Sequence, residues 1–272
     1  MKWNKIQKIG FVSAIAVLAL GSTNLVSYAA PVFQATDADV GFKTDNDGTT
    51  DPLIPVDPDP TKPIQPDPNP KPTKGALRMD VTPSFDFGNN NKIKATEQKY
   101  YAKFVTGTKF SETEKTEFEN YLQVTDERGG TKGWKVSVSN DGVFTSSTGD
   151  KIEGAAITLK DFSVYSGSNI KEPSMFPTVP TTAVTISDNT DHLLLNADTT
   201  KQQGYGIWTM PMGSVDHKTT GQGEDGLGTT GKIDETKAGR NPAVELKIPA
   251  GQIIQPDKAY KSVLNWNISD NL

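Results

Sequence analysis

From Ala76 onward the chain alternates apolar and polar residues in short runs separated by turn residues. That period of two is the signature of half-buried β-strands. "ALRMDVTPSFDFG" alternates and breaks at Pro83 and Gly88, and "QKYYAKFVTG" sets Tyr101, Lys103 and Val105 against Tyr100, Ala102 and Phe104. "YLQVTDERGGTKGWKVSVS" reads as two strands joined by a polar, glycine-containing loop. "AAITLKDFSVYSG", "TAVTISD", "HLLLNA", "GYGIWTM", "AVELKIP" and a final strand through Trp266 follow. Many short strands between turn signals predict an all-β fold, a β-sandwich of Ig-like or Greek-key type. One stretch competes for helix. Ser111 to Glu114 fits a capping box, and Phe118, Tyr121 and Leu122 have helical spacing. At most a short helix is expected there, ending before a strand at Tyr121.

Upstream the pattern changes. Nine of the 18 prolines lie between Pro52 and Pro72, most of them after or near Asp and Asn. Proline removes hydrogen-bond donors and forces the preceding residue into extended backbone. Residues 30–75 therefore read as a disordered Pro/Asp-rich spacer, whose proline run would span roughly 65 Å as a polyproline-like rod. Val32-Phe33 and Val40-Gly41-Phe42 could add one short strand. Further upstream, Lys2, Lys5 and Lys8 precede an apolar run from Ile9 to Leu20, and Ser27-Tyr28-Ala29 has the small residues of a signal-peptidase site. Residues 1–29 thus read as a signal peptide, and residues 76–272 as the β-domain.

Composition narrows the chemistry. There is no cysteine, which excludes disulfides, thiolate metal sites and cysteine catalysis. Loss of the leader's three lysines takes the net charge from −5 to −8, so nucleic acid and anionic membrane surfaces are poor partners. The two histidines, His192 and His217, lie in different segments, and no Gly-x-Ser-x-Gly or His-Glu-x-x-His motif is present. No enzyme activity, metal or cofactor is expected. "GQGEDG" at Gly221 to Gly226 matches a dinucleotide fingerprint only in spelling, since it lacks the preceding strand and following helix that a phosphate cradle needs. "DNDGTTD" at Asp45 to Asp51 fails as an EF-hand, because Gly48 falls at position 4 and Val56 at position 12. No membrane span is expected after signal cleavage, and no LPxTG-like sorting signal appears near Leu272.

Two tryptophans carry the clearest pattern. Trp134, Val136 and Val138 share one strand face, opposite Lys135, Ser137 and Ser139. Tyr260, Ser262, Leu264, Trp266 and Ile268 share another, opposite Lys261, Val263, Asn265, Asn267 and Ser269. Each strand thus presents Trp-x-aliphatic on its apolar side. Both tryptophans can be core residues. One or both can instead lie open at an edge, where an indole stacks on a sugar or anchors a partner strand.

The ordered set of segments resembles the WxL-domain proteins of Gram-positive cell surfaces. "VTDERGGTKGWKVSVS" is similar to the family's proximal motif, with Asp126, Arg128, Gly129, Gly133, Trp134 and Val138 matching. "IEGAAITL" and "LLLNADTTKQQGYGIWTM" resemble the segments that follow, and Tyr260, Leu264, Trp266, Ser269 and Asp270 sit on the distal motif. The departures are Val136 and Ile268 where the family has leucine, and Asn271-Leu272 after the last Ser-Asp.

The resemblance implies non-covalent attachment to the Gram-positive wall through peptidoglycan or a wall polymer. It also implies assembly with other cell-surface proteins. Its ligand contacts would be Trp134, Val136, Trp266 and Ile268, with Asp126, Arg128 and Asp270 as polar neighbours. The alternative is a structural or adhesive subunit whose main ligand is another surface protein, bound by strand addition, or a host matrix component. The final strand is expected to close the sandwich and bury Trp266.

Overall fold

A computed structural model describes residues 38–89, 91–218 and 240–270. The leader and the "GQGEDG" loop lie outside the described residues, as does the Val32-Phe33 half of the short strand. The chain divides at Phe42 into two units. Of the first, residues 38–42 are described, without regular structure and with Val40 and Phe42 exposed. They form no strand.

The second unit is built of strands. The first are β1 (Gln65–Asp67), β2 (Leu77–Val81), β3 (Gln98–Lys103), β4 (Val105–Thr108), β5 (Lys115–Phe118) and β6 (Asn120–Asp126). Next come β7 (Trp134–Ser139), β8 (Phe144–Ser146), β9 (Lys151–Ile152), β10 (Ala156–Leu159) and β11 (Tyr165–Ser166). The last are β12 (Val184–Ile186), β13 (His192–Ala197), β14 (Gly206–Met212), β15 (Arg240–Ile248), β16 (Tyr260–Lys261) and β17 (Asn265–Asp270). Among the described residues there is no α-helix, only three single-turn 3-10 segments. The all-β expectation holds, and every strand pair is antiparallel.

The layers of the expected sandwich are divided among several sheets. Their orders are β11-β14-β6-β2, β12-β10-β15-β3, β13-β7-β17, β1-β4-β5 and β16-β8-β9. One core joins the first three. Met79, Leu122, Val124, Trp208 and Met210 face it from one sheet, and Tyr100, Ala102, Ile157, Leu159, Val244 and Leu246 from the next. The third sheet adds Trp134, Val136, Val138, Leu195 and Ala197. The two strands of "YLQVTDERGGTKGWKVSVS" are present, but β6 and β7 belong to different sheets. Their loop crosses between layers.

Two expectations need correction. The capping-box stretch is not helical: Ser111 has φ of 60°, in a turn between β4 and β5. An N-cap needs extended backbone, and this left-handed residue closes a hairpin instead. Phe118 then joins Tyr121, Val81 and Ile64 in a second, smaller core.

The other correction concerns residues 43–75. They are ordered against β6 and its neighbours, not a free spacer. Leu53 and Ile64 are buried, and β1 pairs with β4. The reason lies in β6, which is buried on both faces. Its inward side chains are Leu122 and Val124; its outward ones, Tyr121, Gln123 and Thr125, need cover. The proline-rich strap supplies it. Proline lacks a donor but keeps its carbonyl, and the Pro55 carbonyl accepts from Thr209 Oγ1 at 2.7 Å. Gln123 is held at both ends, accepting from the Leu53 N–H at 2.9 Å and donating to the Asp51 carbonyl at 3.0 Å. The apolar residues between prolines fill the second core.

Beneath the strap lies a buried ion pair. Arg78 Nε donates to Asp80 Oδ1 at 3.1 Å, while Thr125 and Gln123 donate to Oδ2 at 2.6 and 3.3 Å. Burial nevertheless outweighs these donors and pushes the Asp80 carboxyl up to about 6. Asp80 therefore binds its proton more tightly folded than unfolded. Its contribution to stability is complete below the ordinary value near 3.8 and is lost as pH rises through about 6. Relative to wild type, Asp80→Asn is expected to gain about 2 kcal/mol between pH 4 and pH 7. Urea melts of both proteins at the two pH values check this; a stability difference that does not change with pH would refute it.

Candidate functional site: the two tryptophan motifs

β17 pairs with β7 in a register that sets Trp266 opposite Val138, Ile268 opposite Val136 and Asp270 opposite Trp134. Directly opposed residues in an antiparallel pair point to the same face. The two Trp-x-aliphatic patterns therefore share one surface, facing the main core. Their exposure differs. Trp134 and Val136 are fully buried, whereas Trp266 and Ile268 are half-buried. β7 is the central strand, flanked by β13 and β17; β17 has β7 alone as its described partner. The final strand is thus an edge, not a closing strand, and it does not seal Trp266.

Trp134 is fixed by more than apolar contact. Its Nε1 donates to the Gly204 carbonyl at 2.9 Å. Gly204 has φ of +86°, and a Cβ there would lie 2.6 Å from that same nitrogen. Only glycine permits both the turn and the approach. Gly133 serves similarly at the start of β7. Its φ is +67°, and a Cβ would meet the Ala197 carbonyl at 2.8 Å.

The three polar candidates form a clasp at one end of this sheet. Arg128 grips Asp126 with two parallel bonds, Nε to Oδ1 and Nη2 to Oδ2, each 2.9 Å. This is the bidentate fork that favours arginine over lysine. Nη2 also donates to the Gly133 carbonyl at 2.8 Å, and Nη1 reaches Asp270. The hydrogen-bonded Asp126 carboxylate raises the Arg128 guanidinium above its ordinary value. The end of β6, the crossing loop, the start of β7 and the end of β17 are thereby joined through one side chain. Asp126 is buried and the Arg128 side chain is 13% exposed, while Asp270 is 50% exposed.

The seven candidate residues are thus brought together, in two roles. Trp134, Val136 and Asp126 are interior. Trp266, Ile268, Asp270 and part of Arg128 reach the surface. Both Asp126 oxygens accept from Arg128, whose backbone N–H also donates to Oδ1 at 3.1 Å. Among the described residues no group of three or more His, Asp or Glu could hold a metal ion.

Sequence reasoning missed Gly204 as the partner of Trp134, and Trp208. Trp208 is fully buried, donates Nε1 to the Tyr205 carbonyl at 3.0 Å, and meets Phe176 edge-on with ring centroids 5.0 Å apart. The signal was the Gly-Tyr-Gly before it, two glycines where the chain must approach Trp134 and turn into β14.

The sequence model of one family, described as WxL domain surface cell wall-binding, matches residues 32–271. The chain belongs to the WxL family. No curated protein and no solved structure matches it. As a WxL protein it belongs to a surface, wall-binding class. No helix among the described residues is long and apolar enough to cross a membrane.

Proposed function

We propose that this WxL protein is exported, non-catalytic, and held non-covalently on a Gram-positive wall by binding peptidoglycan. The observation that carries the reading is the family match over residues 32–271, which makes wall binding a property of nearly the whole chain. In this reading the proximal motif is scaffold and the distal motif is contact. Trp134, Val136 and Asp126 hold β7 in place, and the half-open Trp266 and Ile268 meet the wall, flanked by Arg128 and Asp270.

Protein-free sacculi test it. Wild-type protein is expected to sediment with them. Trp266→Ala is expected to stay folded and bind less. Trp134→Ala is expected to lose about 3–5 kcal/mol, as large-to-small changes at sealed aromatic sites do, and to lose binding only with its fold. Absence of wild-type binding would sink the reading.

A second reading is favoured by one feature. β17 is an edge strand, and unpaired strand edges accept a partner strand. Another surface protein would then be the main ligand, and co-sedimentation with sacculi would require it.

A further inference from the structure

Among the described residues, four strands at sheet edges run to five residues or more: β2, β3, β13 and β17. Three of them are covered by backbone bonds from outside their sheets. The Thr73 N–H donates to the Met79 carbonyl of β2 at 2.9 Å, and the Lys103 N–H of β3 donates to the Asp86 carbonyl at 2.7 Å. Thr178 and Asn196 of β13 exchange bonds of 2.8 and 3.0 Å. Among the described residues no such bond reaches β17, whose backbone pairs with β7 alone. Its six residues, Asn-Trp-Asn-Ile-Ser-Asp, include neither lysine nor proline, the residues that commonly blunt an edge. On its core side Trp266 and Ile268 are only partly covered.

The first unit carries a segment of matching kind. Residues 38–42 read Ala-Asp-Val-Gly-Phe, with Ala38, Val40 and Phe42 at alternate positions and Asp39 and Gly41 between them. In extended backbone that pattern has one apolar face. Yet Val40 and Phe42 are 79% and 93% exposed, and the segment forms no strand. The family match begins at residue 32 and so takes in this arm, although its apolar side chains stand in solvent. A chain with both an unpaired apolar strand pattern and an open apolar edge is complementary to a second copy of itself.

We propose that residues 38–42 of one molecule add as a strand to β17 of another, so that copies of this protein join through the arm and the edge. Val40 and Phe42 would lie on the core side against Trp266 and Ile268, each pair spaced two residues apart. Asp39 would face outward with Asn265 and Asn267, on the side that carries Lys135. Main-chain bonds supply the attraction, and the alternate side chains select which face of the arm turns inward. The inference rests on the second reading above, in which a strand adds to β17, and names that strand. It does not depend on the wall. Because the arm would cover Trp266 and Ile268, self-association and wall contact exclude each other at that edge.

Sedimentation velocity without sacculi tests this on the protein from Ala30. Wild type is expected to self-associate as its concentration rises. Val40→Ser/Phe42→Ser changes exposed positions only, and is expected to melt with wild type and to weaken self-association by about tenfold or more. Single-cysteine variants locate the contact, since the chain has no cysteine of its own. Under oxidation, Phe42→Cys mixed with Ile268→Cys is expected to form a disulfide between two chains. Phe42→Cys mixed with Thr185→Cys, exposed on β12, is expected to form none. A wild type that stays monomeric would overturn the proposal, as would a Val40→Ser/Phe42→Ser variant that associates like wild type. A link between positions 42 and 268 that forms only within a single chain carrying both cysteines would also overturn it. Wall binding is measured separately on sacculi, so either reading can fail without the other.

Discussion

Ending the chain at Lys261 is expected to abolish cooperative folding. The removed strand places Leu264, Trp266 and Ile268 against the main core. Each contributes on the order of 1–3 kcal/mol by leaving water, even when half-buried. The loss also uncovers the flank of β7, whose Trp134, Val136 and Val138 are fully buried in the intact protein. Arg128 loses Asp270, the contact that ties the crossing loop to the C-terminal strand. The sum is of the same order as the total stability of a domain, roughly 5–15 kcal/mol. β7 and β17 also pair across more than a hundred residues of sequence, so the contact cannot form early and locally. Near-UV circular dichroism and a thermal melt of the truncated chain decide the matter; a cooperative transition within a few degrees of the full chain would refute it.

Starting the chain at Ala76 is expected to be nearly as damaging. On sequence pattern alone that residue begins the domain. In the structure it begins after the strap. Removing the strap deletes Leu53, Ile54 and Ile64, of which the first and last are almost fully buried. Their burial is worth roughly 5 kcal/mol together. Gln123 loses both backbone partners, Thr209 loses the Pro55 carbonyl, and Arg78 loses Thr50. Buried groups stripped of partners in this way either flood with water or remain unsatisfied, and both destabilise. For a unit of this size about 5 kcal/mol corresponds to a fall in melting temperature of roughly 10–20 °C. A chain beginning at Ala76 that melts where the longer chain does would show that the strap is merely laid on the sheet.

The two truncations make the case for reading residues 43–270 as one folding unit. They also separate stability from binding. A wall-binding defect in either shortened chain says nothing about the ligand, because the scaffold fails first. Trp266→Ala is informative for the opposite reason: it alters a half-exposed position on an edge strand.

The sequence by itself determined the strands. Period-two alternation in "KSVLNWNISD" reappears residue by residue as alternating exposure through Ile268, because side chains of an extended backbone must point to opposite faces whatever surrounds them. It determined the family as well, through an ordered set of local motifs. Which strands become neighbours was not legible, since hydrogen-bond partners are chosen over long sequence separation. "YLQVTDERGGTKGWKVSVS" reads like a hairpin and is a crossing between sheets. A proline-rich stretch reads as solvent-exposed, and cover for the outer face of β6 is what ordered it. Trp134 and Trp266 carry the same local pattern and end differently: one lies on a strand with two neighbours and is sealed, the other on a strand with one and is left half-open. Burial is a count of what arrives from elsewhere in the chain, and only the tertiary structure supplies it.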